Sequence, residues 1–151
     1  MATQYTAGLT TGQVLSAATM NSIGAAWETW TPTVTQTGNV TVTTNTARYA
    51  QIQKIVIAQC YLTVTGTGTG NSPVYVSLPI AAVSSSGQMT ALGFIYDASA
   101  ASNYTVVGAI NSTTRCEFFY TNPSGNVFGQ APNIALGASD QIRLLFTYEV
   151  A

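Results

Sequence analysis

Histidine is missing from all 151 residues, and only 6% of them are charged. The first absence removes the commonest general base and the commonest metal ligand. Ser–His–Asp and Cys–His catalytic arrangements are therefore impossible within the chain. The second leaves four cationic side chains, Arg48, Lys54, Arg115 and Arg143, scattered along the sequence. Phosphate neutralisation calls for clustered Lys and Arg, so nucleic acid is not an expected partner. Long apolar runs are also missing, and no segment reaches the length of a membrane-spanning helix, so no membrane association is expected. The opening "MATQYTAGLTTGQ" has no charged stretch followed by an apolar one, so a signal peptide is not expected. Cysteine occurs twice, at Cys60 and Cys116. Two cysteines make no disulfide framework. Both sit in strand-like runs with apolar neighbours at i±2, so two buried thiols are expected before one disulfide. Without His or CxxC, zinc is not expected, and no cofactor is implied.

What is present is apolar and β-forming. Hydrophobic residues make up 46% of the chain, enough for one domain with a real core. With so few charges the surface must be largely Thr, Ser, Asn and Gln. A net charge of −1 gives little self-repulsion, which suits a chain living in an assembly.

One stretch has helical spacing. In "SAATMNSIGAAWETWTP" (16–32), Ser16 can cap a helix, and Leu15 and Met20 occupy the positions of a hydrophobic staple. Met20, Ile23, Trp27 and Trp30 follow at spacings of 3, 4 and 3 and would line one stripe. Pro32 disfavours helical geometry at Thr31, so the helix should end by Trp30. The expectation is an extended arm and short helix over residues 1–30. Leu15, Met20, Ile23, Trp27 and Trp30 are its candidate assembly contacts, and a helix that plugs the open end of its own β-domain is the equal alternative.

From Thr31 onward the period is two. "TPTVTQT" and "VTVTT" alternate around a Gly38-Asn39 turn. In "KIVIAQCYLTVT" (54–65), Val56, Ala58, Cys60, Leu62 and Val64 share one face. Ile55, Ile57 and Tyr61 lie on the other, so burial on both sides is expected over its first half. "VYVSLP", "TALGFIYD", "YTVVGAI" and "RCEFFYT" follow. The cleanest is "QIRLLFTYEV" (141–150), with Ile142, Leu144, Phe146, Tyr148 and Val150 on one side. Eight or nine short strands at this spacing predict an all-β domain over 31–151, an antiparallel β-sandwich or jelly roll.

Candidate chemistry is sparse. Glu117 and Glu149 lie on strands and are the one carboxylate pair a glycosidase could use. The competing reading pairs them with Arg115 and Arg143 on an outer sheet face, and a non-enzymatic protein is expected. "GTGTG" (66–70) lacks the Lys-Ser/Thr and helix of a phosphate loop. Tyr96, Tyr104 and Tyr120 near strand ends are candidates for ligand contact, with inward packing as the alternative.

Two motifs carry a resemblance. "GQVLSAATMNSI" (12–23) followed by "WETWTPTVTQTGN" (27–39) resembles the opening of small structural proteins of tailed bacteriophages. In those a G-x-V-L-T-A-A-x-M-N segment precedes a W-x-x-[YW]-T-P-T-[LV]-T strand. Gly12, Val14, Leu15, Ala17, Ala18, Met20 and Asn21 match the first, with Ser16 where Thr is usual. Trp27, Trp30, Thr31, Pro32, Thr33, Val34 and Thr35 match the second. "ARYAQIQKIVIAQCYLTVT" (47–65) is similar to a later Y-x-x-I-G-x-x-V strand, with Gln53 where Gly is common. The resemblance covers about the first 80 residues. It implies a virion protein that forms a homotrimer and contacts the major capsid protein or tail proteins. A capsid decoration (cement) protein on the head surface is the expected role, and a minor tail or fibre-tip protein the alternative.

Overall fold

The strict alternation of 141–150 becomes the central strand of the fold. The computed structural model describes residues 26–84, 89–121 and 126–150. In it Ile142, Leu144, Phe146, Tyr148 and Val150 are all buried, and Arg143, Leu145, Thr147 and Glu149 are all exposed. Among the described residues ten strands form: β1 (Glu28–Thr29), β2 (Val34–Gln36), β3 (Gly38–Val40), β4 (Val42–Ile52), β5 (Ile55–Val64), β6 (Tyr75–Ser77), β7 (Met89–Asp97), β8 (Ser102–Ser112), β9 (Arg115–Tyr120) and β10 (Gln141–Glu149). Every pairing is antiparallel. The strands join in one sheet of order β1-β4-β5-β10-β7-β8-β9-β6-β2-β3, curled into a half-barrel.

Curling lets one face enclose its own core. Val56, Ala58, Cys60, Leu62 and Val64 of β5 point inward and meet Val106, Cys116, Phe118, Phe128 and Phe146 in one apolar cluster. End strand β3 is joined along the chain to β4, the strand next to the other end, because Thr41 alone separates them. The amides of Thr65 and Gly66 both donate to the Thr41 carbonyl, at 2.8 and 3.0 Å, which holds that corner.

The other face of β5 departs from expectation. Ile55 is 43% exposed, and Ile57 and Tyr61 are only half-buried. No second layer covers them among the described residues, so this strand is buried on one side. The first hairpin also differs. β2 reverses into β3 at Thr37, which takes a left-handed φ of 68°, not at Gly38-Asn39. Tertiary bonds explain it. Buried Gln36 donates to the carbonyls of Ser72 (3.1 Å) and Ile134 (2.7 Å) and accepts from the Leu136 amide (2.9 Å). Thr37 Oγ1 donates to Ser72 Oγ at 2.6 Å. These bonds fix β2 up to Thr37 and leave the reversal to that residue. A Cβ on Gly68 would collide with Gln36 Oε1, so this glycine makes the room.

The N-terminal helix does not reach its expected end. Residues 16–25 of that expectation lie outside the described residues. Within 26–30 there is no helix: Glu28 pairs with Tyr49 and Thr29 with Arg48, as edge strand β1. The Trp30 amide donates to the Ala47 carbonyl at 3.3 Å, and Tyr49 Oη donates to Glu28 Oε2 at 2.6 Å. An open edge of β4 offers partners that an isolated turn of helix cannot match.

Candidate functional site

Outward side chains of the central strands meet in two rows that cross the sheet. One row follows the pairings Arg48↔Gln59, Gln59↔Leu145, Leu145↔Leu92, Leu92↔Val107 and Val107↔Phe119. Of its apolar members, Leu92 is 57% exposed and Leu145 49%, and Val107 and Phe119 are half-buried. A single exposed leucine is unremarkable, but a continuous apolar row on an outer face marks an interaction surface.

The adjacent row runs Thr46, Tyr61, Arg143, Phe94, Thr105. Arg143 sits between two rings. Its guanidinium carbon is 4.3 Å from the Tyr61 ring centroid and 5.3 Å from that of Phe94. Its Nη2 also donates to Gln141 Oε1 at 2.8 Å. Each cation–π contact at an exposed site contributes about 0.5–1 kcal/mol, enough to orient the side chain across the face. A shallow depression of about 480 Å³, bordered by Gln59, Tyr61, Leu92, Phe94, Arg143 and Leu145, lies between the rows. A second, of about 270 Å³, is bordered by Thr90, Leu92, Val107, Leu145 and Thr147.

Farther along the sheet the outer surface turns polar. Thr35, Asn39, Ser72, Tyr75 and Arg115 border a cleft of about 270 Å³. The Arg115 guanidinium lies 4.2 Å over the Tyr75 ring, and its Nε donates to Asn111 Oδ1 at 3.1 Å. Asn111 in turn donates to Glu117 Oε2 at 3.4 Å. Burial, and Glu117 beside it, push the Tyr75 hydroxyl above its usual range.

The expected assembly residues separate. Leu15, Met20 and Ile23 lie outside the described residues. Trp27 is 49% exposed, with Arg48 4.7 Å from its ring. Trp30 is half-buried and packs edge-on against Phe146, centroids 6.2 Å apart. A spacing of three puts two side chains on one helix face but on opposite strand faces, so the single stripe does not exist here.

The carboxylate pair is not brought together. Glu117 is on β9 and Glu149 on β10, with β7 and β8 between them. Three strand spacings amount to about 14 Å. A glycosidase pair sits within about 9.5 Å. Both cysteines are free and buried, and desolvation pushes each thiol up to about 12. Tyr104 packs edge-on against Tyr120 (5.4 Å) and Phe128 (5.5 Å), so the inward reading holds for these two tyrosines. Asp97 and Asp140, though buried, are occupied as turn acceptors. Asp97 Oδ1 accepts from the amides of Ser99 and Ala100, and Asp140 from those of Ala98 and Gly137. Among the described residues no three His, Cys, Asp or Glu side chains gather as a metal site.

Leu92 and Leu145 were legible in principle. "RLLF" places Leu145 where the alternation of β10 calls for a polar residue, and "ALGF" does the same for Leu92. No known protein family, curated protein or solved structure matches this chain.

Proposed function

We propose that this chain is a non-enzymatic structural subunit of a tailed-phage virion. On this reading it is a homotrimeric capsid decoration protein, attached to the major capsid protein through residues 1–30. The observation that carries the proposal is the outer sheet face, where Leu92 and Leu145 stand open in a protein with almost no charge to keep it apart from neighbours. The phage-like motifs at 12–23 and 27–39 supply the virion context. Exposed Trp27 stands beside edge strand β1, so the attaching segment joins the body at a sheet edge. The bend at Thr41, which links end strand β3 to β4 next to the other end of the sheet, supports reading the body as sandwich-like or jelly-roll-like.

The alternative is a minor tail or fibre-tip protein that binds the host surface. It is favoured by the polar cleft, where Tyr75, Arg115, Asn39 and Thr35 offer a ring and several hydrogen-bonding groups of the kind that hold a sugar.

Separating heads from tails of the purified virion and quantifying this chain in each by mass spectrometry tests both. Many copies on heads are expected. A few copies on tails would favour the alternative, and absence from both would end the virion reading.

A further inference from the structure

We infer that the outer face of β5, β10 and β7 is a self-association surface, and that its occupant is the same face of a second copy of this chain, related by a two-fold axis across β10. The inference stands apart from the virion assignment.

Charge is the first argument. The outward residues of β10 are Arg143, Leu145, Thr147 and Glu149, all exposed. The strand thus carries a cation near one end, an anion at the other, and an uncharged middle. A two-fold axis lying between the faces, perpendicular to the strands and passing over residue 146, reverses the second strand. Arg143 of each copy then meets Glu149 of the other, twice per interface. Each charge is three residues from the axis, about 10 Å. Packed sheets cross at about 30°, which moves the two charges apart by about 5 Å, within the reach of an arginine side chain.

Shape is the second argument. The same axis sends the level of Leu145 and Leu92 onto the level of Thr147 and Thr90. The two leucines protrude, and the two threonines border the 270 Å³ depression beside them. Rotation therefore seats the leucines of each copy over the depression of the other, as an isologous contact requires. Tyr61 and Phe94 hold Arg143 in place in advance, so little side-chain freedom is lost on contact.

Area is the third. Three strand widths by about 20 Å of strand length cover roughly 300 Å² per copy, about 600 Å² in total. That is the size of a weak, transient contact and smaller than a standard stable interface. A contact of modest strength is expected, one that responds to charge reversal.

Sedimentation equilibrium on the full chain, with circular dichroism to verify folding, tests this. The wild type should contain an even number of copies, six where the proposed trimer also forms. Arg143→Glu and Glu149→Arg should each weaken the two-fold contact by about tenfold or more, because each places like charges opposite one another twice. The double variant R143E/E149R should restore it, which no loss of folding can imitate. Leu145→Ser should weaken it without unfolding the chain. The inference is overturned by a monomer at millimolar concentration, by a trimer or any other odd-numbered assembly, or by a double variant no tighter than the singles.

Discussion

Trp30 meets Phe146 edge-on, with ring planes at 80°, whereas Trp27, three residues earlier, stands outside the core beneath Arg48. The two tryptophans therefore have different energetic weights. Trp30→Ala should destabilise the fold by about 3 kcal/mol, the usual cost of removing a large aromatic from a core. Trp27→Ala should change stability by no more than about 0.5–1 kcal/mol, since it loses an exposed ring and one cation–π contact. Urea unfolding of both variants measures the contrast. Equal losses would contradict the strand conformation of residues 28–29.

Gln36 should be among the least replaceable residues. It serves two carbonyls and one amide from within the core. Gln36→Leu keeps the volume roughly constant and strands all three groups. Each buried polar group left unpaired costs about 1–3 kcal/mol. A loss of about 3 kcal/mol or more is expected by chemical denaturation.

Gln53 takes a φ of 53° in the two-residue turn between β4 and β5. Only glycine reaches this region without steric cost, and the left-handed penalty for other residues is about 1 kcal/mol. Gln53→Gly should therefore leave stability unchanged or raise it by up to about 1 kcal/mol, after the extra freedom of glycine in the unfolded chain is counted. The bond from Gln51 Nε2 to the Gln53 backbone carbonyl survives the substitution, so a decrease in melting temperature would show that glycine's freedom in the unfolded chain outweighs the relieved strain.

Stability should fall steeply at alkaline pH. Burial pushes the thiols of Cys60 and Cys116 from 9.0 to about 12, and the Tyr148 hydroxyl from 10.0 to about 12. Between those limits the unfolded chain has lost protons that the folded one keeps. The unfolded state thus binds fewer protons, and the stability decreases as pH rises. The decline should begin near pH 9 and level off above about 12. Tyr148→Phe should make it shallower between 10 and 12, at the cost of the bond to the Ile80 carbonyl. Melting curves across this range provide the test.

Neither thiol should react with a disulfide reagent at pH 8 in the native state, since the thiolate is the reactive form and both groups are buried. Two thiols per chain should appear on unfolding. Fast native labelling of either would contradict its burial.

The strands could be read in advance where one face is wet and the other dry. β5 and β10 alternate because every second side chain enters a core, and the period of two survives in the sequence. The inward set of each strand was legible residue by residue. The helix's expected end at Trp30 was not a safe inference, because the spacing of three between Trp27 and Trp30 also arises when two unrelated tryptophans flank a short edge strand. Only the open edge of β4 decided Glu28 and Thr29. The turn at Thr37 was hidden for a similar reason: Gln36 is held by residues about 100 positions away. Leu145 could be noticed as an apolar residue out of phase. Its continuity with Leu92 and Val107 depends on β10 lying beside β7, and β7 beside β8.

By itself, then, the sequence determined the class of fold, the inward residues of the long strands, the free state expected of the thiols and the poverty of catalytic groups. These follow from composition and from a period that each strand carries locally. Strand order, the curl of one sheet on itself, the divergence of Trp27 and Trp30 and the apolar row on the outer face were decided by tertiary structure. Each depends on which strands become neighbours, and pairing energy resides in contacts between residues far apart in the chain, where local pattern carries no information.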